Sequence, residues 1–214
     1  MSKALFITLE GIEGCGKSVQ LGLLETALGT RNIPFVSTCE PGGTAFGREV
    51  RKILLRQDGV GREPIAELML YLADRYQHLK EVIEPSLSQG LHVLSDRYHD
   101  ATLAYQGYAR GIGLARIERL ARVLELRPPD LTLVLDIDVE TGLRRARARN
   151  AQHSQEAWGR FESEETDFHR RVREGYRLLA EGDPQRIHLI DGSGSPQEVF
   201  SRLLPVLYEK EVFA

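Results

Sequence analysis

The chain has 214 residues, of which 42% are hydrophobic, and a formal net charge of −3. This length supports one sizeable core, so we expect a single domain over residues 1–214, and the charge gives no reason to expect a nucleic-acid or membrane partner. No apolar run reaches the ~20 residues of a transmembrane helix. Without a secretion signal, the two cysteines, Cys15 and Cys39, are expected to be reduced thiols of a cytoplasmic protein.

Short apolar runs alternate with helical patterns along the whole chain. The apolar runs predict strands at residues 4–9, 35–38, 92–95, 131–137 and 187–190. Helices are predicted at residues 17–28, 65–84, 115–126, 139–149, 166–180 and 196–208, with Pro85 expected to end or kink the long helix that precedes it. This alternation predicts an α/β fold: a doubly wound three-layer sandwich around a five-stranded parallel sheet.

The first predicted strand runs into a glycine-rich loop that fits G-x-x-x-x-G-K-S. Its eight residues are Gly11, Ile12, Glu13, Gly14, Cys15, Gly16, Lys17 and Ser18. Glycines let successive backbone N–H groups face one anion, the lysine adds a positive charge, and the serine hydroxyl is a ligand for Mg²⁺. Since a strand precedes the loop and a helix follows it, the motif predicts a bound nucleoside triphosphate.

The third predicted strand ends in Asp96 and Arg97, at the edge where open α/β sheets bind ligands. Asp96 can organise Mg²⁺ or its waters opposite Ser18, and Arg97 can bind a phosphate with two parallel hydrogen bonds. A mutual surface pair is the alternative. We favour the functional interpretation, because neighbours in a strand point to opposite sides.

Arginines crowd the end of the helix predicted at residues 139–149, at positions 144, 145, 147 and 149. Part of this cluster is accounted for by the helix dipole, which favours cations at a helix C-terminus. The polar stretch that follows lacks a core periodicity and is either an ordinary exposed loop or a lid. In a phosphoryl-transfer enzyme an arginine-bearing lid excludes water, and we place it at about residues 144–162.

Aromatic and polar residues at 71, 75, 102, 105 and 106 form another candidate set. Such side chains can stack on a nucleobase and bind its polar edge, but at helical spacing they are equally consistent with core and surface positions. The residues alone leave both interpretations open.

Six segments in this order resemble bacterial thymidylate kinases: GIEGCGKS, EPGGT, DRYHDATLAYQG, RPPDLTLVLDI, RRARAR and RFESEE. The resemblance spans nearly the whole chain. It implies a P-loop kinase fold and transfer of the γ-phosphoryl group of ATP to dTMP, giving dTDP and ADP, by a Mg²⁺-dependent homodimer.

The resemblance also implies roles for single residues. The ATP phosphates would be bound by Lys17 and the loop 11–18, adenine would lie near Arg145, Gly192 and Ser193, and Mg²⁺ would be held by Ser18 and Asp96. The dTMP site would comprise Glu10 near the acceptor or the metal waters, Arg51 and Arg97 on the phosphate, Tyr71, Arg75, Thr102 and Gln106 around thymine, and Tyr105 where a ribose 2′-hydroxyl would lie.

Family members without an arginine inside the phosphate loop supply one from the lid. This chain agrees with that pattern, because its loop carries no cation before Lys17, and Arg149 is the predicted catalytic arginine. The chain departs from the family pattern at Cys39, Val19 and Ala101, each of which replaces a polar side chain. Its segment between Arg149 and Arg160 is also longer than usual.

Two other functions stay open at this point. One is a kinase of the same fold acting on another nucleoside or nucleoside monophosphate. The other is a non-catalytic P-loop switch, although a guanine-type switch normally has an N-K-x-D sequence, which this chain lacks. A switch would also leave the Asp96–Arg97 pair and the arginine cluster without a role.

Overall fold

The computed structural model describes residues 3–56, 61–152 and 165–213, with the backbone alone given at 150–152. Five strands form one sheet: β1 (Phe6–Glu10), β2 (Phe35–Cys39), β3 (His92–Asp96), β4 (Leu131–Asp136) and β5 (Ile187–Asp191). Every strand pairing is parallel and the order is β2-β3-β1-β4-β5. The predicted parallel sheet is confirmed, and the predicted strands lie within two residues of the observed ones.

The helices in the described ranges are α1 (Lys17–Gly29), α2 (Ala45–Leu55), α3 (Pro64–His78), α4 (Glu84–Ser88), α5 (His99–Thr102), α6 (Leu114–Val123), α7 (Val139–Gln152), α8 (Thr166–Gly182) and α9 (Pro196–Glu209). Two π-helical segments, Leu79–Ile83 and Leu103–Ala109, join α3 to α4 and extend α5. None of the described helices is both long and apolar enough to cross a bilayer.

Pro85 does not end the long helix at Glu84. The helix widens to π geometry over Leu79–Ile83 and returns to α geometry in α4. A proline ring lacks an N–H group and crowds the carbonyl four residues earlier, so a wider turn before it accommodates both defects. The helical segment that contains Leu103–Ala109 was not predicted from the sequence.

Apolar residues cover both faces of the sheet, which is why its strands read as continuous apolar runs. All five residues of β1 are buried. Ile7 and Leu9 belong to a core with Leu24 of α1 and Leu203 of α9. Phe6 instead packs in a second cluster, which includes residues of the π-helical turn before α4. The three-layer sandwich is therefore confirmed, and it leaves the carboxyl ends of the strands as the open edge.

Candidate functional site

The glycine-rich loop lies between β1 and α1, at the carboxyl edge of the sheet. Gly11, Gly14 and Gly16 have φ angles of 131°, 71° and 103°, a region that favours glycine. A methyl group at Gly11 would lie 2.6 Å from the carbonyl oxygen of Leu135 in β4. The loop therefore requires glycine both for its curvature and for its close contact with the neighbouring strand.

Lys17 and Ser18 open α1 beneath this loop. The Lys17 ammonium is largely buried and donates to the carbonyl oxygens of Gly11 and Ile12, at 3.3 Å each. The Ser18 hydroxyl donates to Asp96 Oδ2 at 3.2 Å. The hydroxyl and the carboxylate predicted to serve Mg²⁺ thus lie together, brought there from the ends of two adjacent strands.

Arg97 directly follows β3 and lies between the loop and α8. It donates to Glu13 Oε1 at 3.0 Å, to the Tyr105 hydroxyl at 2.9 Å and to the Tyr176 hydroxyl at 3.2 Å. Its φ of 73° is unusual for a residue other than glycine. Arg97 thus forms its ion pair with Glu13 of the phosphate loop, and its functional role stays a prediction.

Two carboxylates close to Arg97 differ strongly in pKa. Burial raises the pKa of Glu10 from its ordinary 4.5 to about 7, although the charge of Arg97 opposes this shift. Glu10 accepts hydrogen bonds from Tyr98 N and the Tyr176 hydroxyl. Burial would also raise the pKa of Glu13, but a hydrogen bond from His169 and the charges of Arg97 and Lys17 outweigh it and lower that pKa to about 2.

Arg75, predicted to face a nucleobase, is almost completely buried in α3. Its Nε donates to Glu40 Oε2 at 2.8 Å, and its terminal nitrogens donate to Thr102 Oγ1 at 2.8 Å and to the carbonyl of Tyr98 at 2.9 Å. Gln106 is also buried and donates to Glu67. These contacts fix the orientation of both side chains before any ligand binds.

One cleft of about 930 Å³ joins most of the predicted site residues. Its lining includes Glu13, Gly14, Cys15, Gly16, Lys17, Ser18, Arg51, Tyr71, Arg75, Asp96, Arg97, Thr102, Tyr105, Gln106, Arg145, Arg149 and Gly192. The three positions that depart from the family pattern, Val19, Cys39 and Ala101, also line it. Its volume lies in the upper part of the range of small-molecule and cofactor sites, about 300 to 1,000 Å³.

Four predicted residues lie outside that lining. Gly11 and Ile12 form the buried root of the loop, and Glu10 is buried at the end of β1. Ser193 lines a smaller cavity of about 300 Å³, which shares Arg145 with the main cleft. Arg160 and the second half of the expected lid fall outside the described residues.

Several side chains that hold the site were missed by the sequence analysis. Glu40 binds both Arg75 and His78, whose Nδ1 lies 2.7 Å from Glu40 Oε1. From α8, the Tyr176 hydroxyl contacts Glu10 and Arg97, and His169 Nδ1 lies 3.2 Å from Glu13 Oε2. Glu40 is the acidic residue of the EPGGT segment, and that residue was the available sequence signal.

Comparison with known proteins gives a consistent result. A family model described as thymidylate kinase matches residues 9–203. The chain is 48% identical to a thymidylate kinase of Solidesulfovibrio magneticus, over 91% of this chain and 94% of the relative. It is 49% identical to one of Pelobacter propionicus, over 91% and 89%. A crystal structure of thymidylate kinase from Ehrlichia chaffeensis superposes with a TM-score of 0.76 at 31% identity, over 96% of this chain and 100% of that chain.

The raised pKa of Glu10 predicts a pH-dependent stability difference between the wild type and Glu10→Gln. Between pH 4.5 and about 7 the unfolded chain releases this proton while the folded protein retains it, so the wild type loses stability as the pH rises. The glutamine variant has no such loss. Its free energy of unfolding should therefore gain about 2 to 3 kcal/mol relative to the wild type from pH 5 to pH 8.

Urea denaturation at several pH values measures this difference, with Glu181→Gln, at an exposed position of α8, as the control. A difference between wild type and Glu10→Gln that stayed constant from pH 5 to pH 8 would contradict the assigned pKa.

Proposed function

The chain belongs to the thymidylate kinase family, and from this we infer that it transfers the γ-phosphoryl group of ATP to dTMP, giving dTDP and ADP. The observation that carries this conclusion is the single cleft lined both by the phosphate loop and by the predicted acceptor residues. In-line transfer requires the two nucleotides to bind end to end in one water-poor site.

The donor site is built around the phosphate loop. The backbone N–H groups of Gly14 to Ser18 and the ammonium of Lys17 bind the ATP phosphates, and adenine lies near Arg145, Gly192 and Ser193. This position for adenine is supported by Arg145, which lines both the main cleft and the smaller cavity beside it.

The residues at the end of β3 and the start of α1 fit a Mg²⁺ site. Ser18 and Asp96 would hold the ion with a hydroxyl and a carboxylate that lie 3.2 Å apart, and both are hard oxygen ligands of the kind that Mg²⁺ prefers. When bound there, the ion would supply positive charge to offset the negative charge that develops during transfer.

The acceptor site lies on the other side of Arg97. Arg97 and Arg51 bind the dTMP phosphate, with Glu10 buried close to Arg97. Thymine is bound by four residues that line the cleft, Tyr71, Arg75, Thr102 and Gln106, and Tyr105 occupies the place of a ribose 2′-hydroxyl. The hydrogen bonds that already orient Arg75 and Arg97 support this assignment, because a preorganised site loses little entropy on binding.

No general base is needed for the reaction. The nucleophile is a phosphate oxygen of dTMP, whose second pKa near ~6 leaves it ionised at neutral pH. The obstacle is repulsion between two polyanions, which Lys17, Arg97 and the metal reduce. Arg149 completes this set as the catalytic arginine on a lid at about residues 144–162 of the single domain, and its exposed position at the cleft supports that role.

The proposal also covers quaternary structure and location. The protein is a homodimer in the cytoplasm, and its partners are nucleotides, with no nucleic acid or membrane partner. The described part of the chain leaves ten large apolar side chains exposed, and five of them lie on the adjacent helices α2 and α3. These five, which we name the α2/α3 face, are Phe46, Ile53, Ile65, Met69 and Tyr76. A two-fold dimer would bury this face against its own copy.

The reaction predicts that ADP formation depends on the acceptor. Purified protein with ATP and Mg²⁺ should release ADP rapidly with dTMP and slowly without it, as measured by a coupled assay. Because one methyl group contributes only ~1 to 3 kcal/mol of discrimination, dUMP should be ~10- to 200-fold poorer than dTMP. CMP, GMP and thymidine complete the panel. ADP release that did not depend on any acceptor would exclude the kinase reaction.

Arg149→Ala tests the catalytic arginine. An arginine that stabilises the transferring phosphoryl group contributes about 10³ to 10⁵ in rate, so kcat should fall by about this factor while KM for either nucleotide changes little. Arg147→Ala, two residues away at an exposed position of α7 outside the cleft lining, is the matched control and should retain kcat. An Arg149→Ala enzyme with nearly wild-type kcat would remove Arg149 from the mechanism.

Met69→Glu tests the proposed dimer, since a buried interface would confine two unpaired carboxylates. We expect this variant to sediment as a monomer at micromolar concentrations at which the wild type is a dimer. Leu178→Glu, at an exposed apolar position of α8 outside the α2/α3 face, should sediment like the wild type. A dimeric Met69→Glu protein would show that this face is not the interface.

A further inference from the structure

The phosphate loop and α7 touch through their backbones. A methyl group at Gly142 of α7 would lie 2.7 Å from the carbonyl oxygen of Glu13, against 3.4 Å for an ordinary contact. From the other side, a methyl group at Gly14 would lie 2.0 Å from the carbonyl oxygen of Gly142. The two segments thus approach more closely than any pair of side-chain-bearing residues would allow.

Gly142 lies in the interior of a helix, where glycine is unfavourable relative to alanine. Its own backbone conformation does not require glycine, because its φ is not in the positive region, unlike that of Gly14. A glycine at such a position needs a packing reason, and the contact with the phosphate loop supplies one.

The same helix carries two of the arginines that line the cleft. Arg145 and Arg149 follow Gly142 by three and seven residues, so all three lie on one side of α7 within two turns. Ala146, one turn after Gly142, is almost completely buried. The position of this helix relative to the loop therefore sets the distance from the arginines to the phosphates that the loop binds.

We propose that Gly142 is a positioning residue for phosphoryl transfer: by allowing direct backbone contact with the phosphate loop, it holds α7 at the distance from which Arg149 reaches the transferring group. This proposal rests on the role given to Arg149 in the proposed function. A side chain at position 142 displaces α7 outward by about 0.7 Å, the difference between 3.4 Å and 2.7 Å.

Gly142→Ala is the test, with Gly22→Ala as the matched control. Gly22 is also inside a helix, and a methyl group there would meet nothing within 4 Å. Since misplacement of a catalytic group by about 1 Å can lower a rate ~10²-fold, kcat of Gly142→Ala should fall about 10- to 100-fold. KM for dTMP should stay within about threefold of wild type, because the proposed dTMP residues lie on other elements. Gly22→Ala should retain wild-type constants.

A double variant separates positioning from a general structural defect. If Gly142 acts through Arg149, adding Gly142→Ala to Arg149→Ala should change kcat less than about twofold, because the displaced group is already gone. A merely structural defect would lower kcat by the same factor in both backgrounds. Equal factors would overturn the proposal, as would a Gly142→Ala enzyme with wild-type kcat.

The outcomes also distinguish this proposal from the function on which it rests. Retention of kcat by Arg149→Ala would overturn the arginine assignment and the positioning role together. Loss of kcat in Arg149→Ala but not in Gly142→Ala would overturn the positioning role alone. Should Gly142→Ala fail to fold, Ala146→Val is the second variant, because it adds bulk at a buried position of α7 one turn nearer to Arg149. It should give the same loss of kcat with little change in KM. Wild-type kcat in Ala146→Val would overturn the proposal.

Discussion

The site depends on the parallel pairing of β1 with β3 on one side and β4 on the other. Leu9 pairs with Asp96 and also with Leu133, so the three strands end at the same edge of the sheet. The phosphate loop, the Asp96–Arg97 segment and α7 follow these strand ends directly. A slip of one residue in the β1–β3 pairing would turn the side chains of β3 to the opposite face and separate Ser18 from Asp96. Strand register is thus the source of the site's geometry.

A site for two polyanions has to contain several charges that water cannot fully solvate, and the fold supplies partners for each. Arg97 is 19% exposed and Glu13 11%, and they pair with each other while α8 adds His169 and Tyr176. Removing a partner from a buried charge is costly, so these contacts hold Arg97 in one orientation without substrate. An electrostatic site that is already oriented has little to reorganise when charge develops.

The fold was predictable because its signals are local. Apolar runs, helical periodicity and the glycine motif each depend on neighbours in sequence, and the strands were found within two residues. The residues that orient the site side chains were not predictable, since their partners are remote in sequence. Tyr176, for example, donates to Glu10, which lies 166 positions earlier, and its spacing on α8 is that of an ordinary core residue. The π-helical segment Leu103–Ala109 has no separate sequence signal. The residue types at 71, 75, 102, 105 and 106 were equally consistent with a nucleobase site and with ordinary core and surface positions. Only the family resemblance assigned them roles in binding.

The positively charged side chains that line the cleft differ in their exposure to solvent. Lys17, Arg75 and Arg97 are buried or half-buried and are oriented by hydrogen bonds to the protein, whereas Arg145 and Arg149 are exposed. Because these charges are already oriented, they can stabilise charge that develops during a reaction without first reorganising. The exposed cations differ from these in lying on one helix, so their distance from the phosphate loop depends on where that helix packs. Arg145 and Arg149 of α7 line the same cleft, and because the phosphate loop has no arginine of its own, the backbone contact between Gly14 and Gly142 sets how far these two arginines lie from the loop.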